Sequence, residues 1–176
     1  MRLGILPSQT FQLSLIISCM VLLTACGNYS FSLNEKELYG PPSLFTQYDI
    51  ADRALSVCVT QTIKDATITT AEDLRRLNCS SAGIENLAGL ETFNKLEALN
   101  LAQNQLEDLG PLAQLTRLKT LILRDNAIVS AEPLLSLVRL ERLDMQENEQ
   151  LDCDLGRQLA RQEPLTVELP AHCLAN

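Results

Sequence analysis

An α/β solenoid, with a helical cap at its N-terminal end and a short cap at its C-terminal end, is the fold the sequence predicts. Leu74, Leu96, Leu118 and Leu140 recur every 22 residues, and the apolar positions between them recur with them. Residues 50–65 carry an amphipathic helical pattern directly before the repeat; residues 154–162 and 165–169 read as a short helix and a strand directly after it. Cys58, Cys79, Cys153 and Cys173 fall as two pairs at the two ends of this segment.

Composition narrows the class further. The chain has 176 residues, 46% of them hydrophobic and 20% charged, which excludes a collagen-like, low-complexity or wholly disordered chain. Its net charge is -8, and an acidic chain repels phosphate backbones, so no nucleic-acid partner is expected. His172 is the single histidine, almost at the C-terminus.

Residues 1–25 read as an export signal. Arg2 precedes an apolar run from Leu13 to Leu23. A helix of that length rises about 16 Å, too short for a hydrocarbon core of about 30 Å. The run ends Leu23-Thr24-Ala25-Cys26-Gly27. This resembles the lipobox of bacterial lipoproteins. The resemblance implies cleavage before Cys26 and acylation of that residue, with the acyl chains anchoring the protein to a membrane. It places the protein in a bacterial cell envelope. Gly27 and Asn28 lack the Asp that retains many lipoproteins at the inner membrane, which favours the outer membrane if the cell is Gram-negative.

Residues 26–48 follow as an expected extended tether. Gly40-Pro41-Pro42 interrupts regular structure. Five of the seven aromatic residues lie here: Tyr29, Phe31, Tyr39, Phe45 and Tyr48. A plain spacer needs none, so the strip has an alternative role, docking on a partner or folding back on the domain.

Residues 74–150 hold the repeat. Aligned on its leucines, position four is Leu77, Leu99, Leu121 and Leu143, and position six is Cys79, Leu101, Leu123 and Met145. These alternate inward as in a short strand. One such coil cannot bury its own apolar side, whereas stacked coils share a core. Position nine is Asn104, Asn126 and Asn148, which can satisfy backbone groups where the chain leaves the strand; Ala82 replaces it in the first coil. The pattern LxxLxLxxNxL resembles leucine-rich repeat proteins, and the 22-residue period resembles their SDS22-like and internalin-type subclass. That resemblance implies a right-handed superhelix with a parallel sheet on its concave face and short 3-10 turns on its convex face.

Both ends of such a stack need covering. Residues 49–73 form the expected N-terminal cap, in which Leu55, Cys58, Val59, Thr62 and Ile63 share a helix face. Thr70-Ala71-Glu72-Asp73 resembles a capping box with Asp in place of Glu. Residues 151–176 form the expected C-terminal cap. Four cysteines in an exported chain allow three pairings. Cys58 on the helix stripe and Cys79 at an inward position of the first coil are expected to meet, leaving Cys153 with Cys173. A zinc site is the alternative, disfavoured because the pairs lie at opposite ends of the stack and no CxxC occurs.

No catalytic centre is expected. Ser80 and Ser81 lack the GxSxG elbow and a nearby base, and His172 beside Cys173 forms no nucleophile–base pair. Glu149, Asp152 and Asp154 lack the ligand order and glycine of an EF-hand. No cofactor or metal is expected.

Positions three, five, seven and eight of each coil are expected to point outward from the sheet. Among them Arg76, Asn78, Asn100, Ile122, Arg124, Arg142, Asp144 and Glu147 are the candidate binding residues. Arg side chains beside an apolar anchor are common at interaction hot spots. The expected function is a lipid-anchored envelope protein that binds a protein or peptide non-covalently on its concave face. A structural envelope lipoprotein, or a regulator or inhibitor of an envelope enzyme, is the alternative. The oligomeric state is left open.

Overall fold

The computed structural model describes residues 31–33, 36–40 and 42–174. The export signal and Cys26 lie outside the described residues. The chain divides into two units, one ending at Ser43 and one starting at Leu44. Among the described residues no helix is long and apolar enough to cross a membrane.

In the first unit β1 (Phe31–Leu33) pairs antiparallel with β2 (Lys36–Tyr39), Leu33 opposite Lys36. This part of the expected extended tether is therefore a hairpin. Phe31 and Leu33 alternate with Ser32 in the first strand, a period-2 pattern, while Lys36-Glu37-Leu38-Tyr39 carries none.

The second unit opens with a segment that packs rather than extends. Phe45 and Tyr48 sit 6.0 and 5.6 Å, centroid to centroid, from the fully buried ring of Phe93. The Phe45 N–H donates to the Ile68 carbonyl at 2.9 Å, and the Tyr48 hydroxyl lies 2.7 Å from Thr60 Oγ1. These two aromatics take the fold-back role. Helix α1 (Arg53–Asp65) follows, with Asp52 as its N-cap and Leu55, Val59 and Ile63 buried on one face. It is the lid over the first coil. A 3-10 turn at Ala71–Asp73 comes next, where the Asp73 carboxylate accepts the Thr70 N–H at 3.2 Å and the Thr70 hydroxyl at 2.8 Å.

Five strands then form one parallel sheet in sequence order: β3 (Arg76–Asn78), β4 (Ala98–Asn100), β5 (Thr120–Ile122), β6 (Arg142–Asp144) and β7 (Thr166–Glu168). Leu77, Leu99, Leu121, Leu143 and Val167 lie side by side across it. The four leucines are at most 2% exposed, as are Cys79, Leu101, Leu123 and Met145 at position six. Each such burial contributes roughly 1.5–3 kcal/mol. The chain returns through 3-10 turns at Leu90–Phe93, Gly110–Gln114 and Glu132–Ser136. Pro111 and Pro133 occupy the first turn of the latter two, where proline's missing N–H costs nothing. Gly89 holds the equivalent place in the first coil for another reason. Its φ is +97°, and a Cβ there would run into the Asp49 backbone carbonyl.

The asparagine ladder is built as the repeat implies. Asn126 donates to the carbonyls of Leu123 (2.9 Å) and Leu101 (3.0 Å), and its Oδ1 accepts the Leu106 N–H at 3.1 Å. Asn148 does the same with Met145, Leu123 and Ile128. Asn104 reaches back to the first coil, accepting the N–H of both Ala82 and Ile84. Each asparagine thus joins two coils, and Ala82 is served from the next coil instead of serving an earlier one. Before each ladder position the chain turns through a left-handed residue: Ser81, Gln103, Asp125 and Glu147 have φ of 54–60°.

At the far end α2 (Cys153–Ala160) is N-capped by Asp152, β7 extends the sheet, and the short α3 (Ala171–Leu174) is the last described element. The disulfides are Cys58–Cys79 and Cys153–Cys173, with Cα–Cα separations of 5.8 and 5.1 Å. The first pins α1 to the first coil, and the second ties α2 to α3 within the C-terminal cap.

Candidate binding face

The outward face of the sheet carries position three (Arg76, Ala98, Thr120, Arg142, with Thr166 alongside) and position five (Asn78, Asn100, Ile122, Asp144, with Glu168 alongside). Three of the position-five side chains have a local duty. Asn78, Asn100 and Asp144 each use Oδ1 to accept the N–H two residues on, from Ser80, Ala102 and Gln146 at 3.2, 3.0 and 3.1 Å. These Asx turns end the strands. Ile122 interrupts the row with an aliphatic side chain, half-buried in place.

The C-terminal half of the face is engaged with itself. Arg124 contacts Asp144 at 3.3 Å, Glu147 at 3.1 Å and Glu168 at 3.9 Å. Arg142 contacts Glu168 at 2.7 Å. The Asp144 hydrogen bond, aided by the nearby carboxylates, holds the Arg124 guanidinium above the usual arginine range. Asp144 departs from the expectation of an outward, solvated side chain: it is 8% exposed. The Asx turn and Arg124 together cover its two oxygens. Glu168 was not among the candidate residues. It stands opposite Asp144 in register, and Thr166-Val167-Glu168 repeats the outward-inward-outward pattern of the earlier strands, which was the available signal.

The N-terminal half is different. A groove of about 460 Å³ lies over β3, β4 and β5, with Ala98, Asn100 and Thr120 along it, Ile122 at one end and Arg76 at the other. Thr62 of α1 contributes to its rim. Ala98 and Thr120 are short, which leaves the space open. Arg76 is exposed and has no ion-pair partner among the described residues. The eight candidate residues therefore split. Arg76, Asn78, Asn100 and Ile122 line the groove, and Arg124, Arg142, Asp144 and Glu147 form the network beside it.

Other candidate groups have structural roles. Asp152 caps α2 through the Asp154 N–H at 2.9 Å, and Asp154 pairs with Arg157 at 3.0 Å. His172 Nε2 lies 3.1 Å from the Leu151 carbonyl and 3.4 Å from Cys173 Sγ. Cys153, His172 and Cys173 sit together, but the disulfide removes both thiolates as ligands.

The coil geometry can be set against solved structures. An internalin C2 from Listeria monocytogenes superposes with a TM-score of 0.59 at 23% identity, over 72% of this chain and 59% of that one. The fold is a leucine-rich repeat solenoid. The internalin inlF from the same organism superposes with a TM-score of 0.57 at 23% identity, over 68% of this chain and 36% of that one. The leucine-rich repeat chain described here thus spans less than two thirds of either internalin. No family model and no curated protein matches the sequence. The parallel sheet lines the concave face of the solenoid, so the groove and the ion-pair network are its two halves.

Proposed function

We propose that this protein is a lipid-anchored bacterial envelope lipoprotein whose leucine-rich repeat domain binds another protein non-covalently in the groove of its concave face. The observation that carries this reading is the asymmetry of that face. Its C-terminal half pairs its charged side chains with one another, while its N-terminal half keeps an open groove, an aliphatic side chain in a polar row and an arginine with no ion-pair partner among the described residues. A sheet serving only as packing has no need of that difference. The likeness to internalins supports a binding module through the fold. The anchor rests on the lipobox at Cys26 and the short apolar run before it. On this reading the domain acts by display: the acyl anchor sets its location and the groove supplies the contacts.

In-cell photo-crosslinking tests the binding claim. A photoreactive residue at Ile122 is expected to give a discrete adduct, and one at Gln114, exposed on the convex side, is not. Equal smears from both sites, or no adduct from either, would leave the structural-lipoprotein reading. Incorporation of an alkyne fatty acid into the wild type and its loss in Cys26→Ser tests the anchor.

A further inference from the structure

Charges on the concave face are arranged along one line. Arg76 stands on β3, and the cluster of Asp144, Glu147 and Glu168 stands over β6 and β7, where three carboxylates meet two guanidinium groups. The near end of the groove is therefore positive, and the strands beyond its Ile122 end carry one more carboxylate than guanidinium. Between them the lining is short and uncharged: Ala98, Asn100 and Thr120, then Ile122.

We infer that the groove takes an extended segment of a partner protein that sets a carboxylate on Arg76 and an aliphatic side chain on Ile122. This rests on the concave-face reading above and adds the partner's chemistry to it. Three features support it. Arg76 is the groove's one charge without a compensating group among the described residues, and a guanidinium pairs best with a planar carboxylate. Ile122 offers apolar surface beside open space left by Thr120. The acidic cluster beyond the Ile122 end repels a carboxylate, so the segment's acidic group is directed to the β3 end and its apolar group to Ile122.

The spacing follows from the sheet. Arg76 and Ile122 are two strands and two residues apart. With strand spacing of about 4.8 Å and a rise of about 3.3 Å per residue, that is about 12 Å. An extended peptide covers that distance in roughly three to four residues. The partner segment therefore carries Asp or Glu three or four positions from Leu, Ile or Val. A globular surface with scattered charge does not meet this geometry, and the groove is too small for one.

The test uses fluorescent eight-residue peptides in a Gly/Ser background, with Asp and Leu three or four positions apart in both orders. Matched peptides carry Asn for Asp or Ser for Leu. Binding to the full chain in detergent micelles is read by fluorescence anisotropy. At least one Asp/Leu peptide is expected to bind, with its Asn counterpart about tenfold weaker. That tenfold preference is expected to vanish in Arg76→Gln and to persist in Arg76→Lys. Unchanged thermal melting of both variants shows that the fold is intact. Equal affinity for Asp and Asn peptides, a preference that survives Arg76→Gln, or no peptide binding at all overturns the inference. Failure of the peptides together with a discrete adduct at Ile122 overturns this partner chemistry alone and leaves the concave-face reading standing; absence of both removes the two together. An Ile122 adduct of twice the chain's mass would make the occupant a second copy and also overturn the assignment.

Discussion

The carboxylate of Asp52 accepts the backbone N–H of Glu85, 33 residues away, at 2.9 Å, while its other oxygen accepts the Leu55 N–H at 2.9 Å. The Asn86 N–H adds a third bond at 3.1 Å. One side chain thus caps α1 and ties that helix to the turn of the first coil. Desolvation pushes the Asp52 carboxyl up, but the backbone N–H groups of Leu55, Glu85, Asn86 and Ala54 outweigh it and hold the group below the ordinary Asp value. A carboxyl with a lowered folded-state pKa stabilises the fold above its unfolded value of 3.8, and that stability is lost as pH falls through the folded value. Asp52→Ala is expected to cost about 2 kcal/mol at neutral pH by denaturant titration. The cost should shrink progressively as the titration is repeated at pH values falling below 3.8, because protonation then weakens the wild type as well. An equal cost at both pH values would show that the charge contributes nothing.

Gly89 is expected to tolerate no side chain. Its positive φ disfavours any L-residue, and the Asp49 carbonyl occupies the place of a Cβ. Gly89→Ala should cost about 3 kcal/mol, from backbone strain and overpacking together. Gly83→Ala is the control, since its Cβ meets nothing within 4 Å although its φ is also positive. Equal losses at the two sites would assign the effect to φ and not to the crossing segment.

Asn126 lies in the middle of the ladder, and its loss removes hydrogen bonds in two coils. Asn126→Ala leaves the N–H of Leu106 without its partner, while the carbonyls of Leu101 and Leu123 each lose one donor and keep that of Asn104 or Asn148. The expected cost is about 2 kcal/mol in a urea melt. Amide exchange should accelerate first at Leu106, and then in both adjacent coils. Unchanged protection at Leu106 would contradict the ladder's role.

The two disulfides close loops of similar length, with sequence separations of 21 and 20. In the chain-entropy model each contributes about 3 kcal/mol. Cys58→Ser/Cys79→Ser and Cys153→Ser/Cys173→Ser should therefore lower stability by similar amounts, read from denaturant midpoints with the other bridge intact. The first double variant also loosens the α1 lid, so proteolysis is expected to begin within residues 53–73. Cleavage starting at the C-terminal cap in that variant would show that the bridge does not hold the lid.

Most of the architecture was legible in the sequence because its cause is periodic. A leucine every 22 residues, an inward pair at positions four and six and an Asn at position nine describe one coil, and the stack follows from repeating it. The cysteine pairs were legible for a related reason: Cys58 lies on the apolar stripe of a helix and Cys79 at an inward strand position. The hairpin at 31–39 does not follow from the sequence pattern, since its one alternating run is three residues long and Lys36-Glu37-Leu38-Tyr39 does not alternate.

The sequence by itself determined the solenoid, its caps and the rows of residues on its outward face, because those depend on patterns within one coil or between identical coils. Tertiary structure alone decided which members of those rows are free. Arg124 meets Asp144, Glu147 and Glu168 across 20 to 44 positions of sequence, and Glu168 arrives on a fifth strand from the cap. Asp52 reaches Glu85, and Phe45 and Tyr48 reach Phe93, by the same kind of long-range approach. Such contacts depend on register between coils and on how the flanks cross them, and single-position chemistry carries no record of either. That is why the outward row was predictable while its division into a locked half and an open groove beside Arg76 was not.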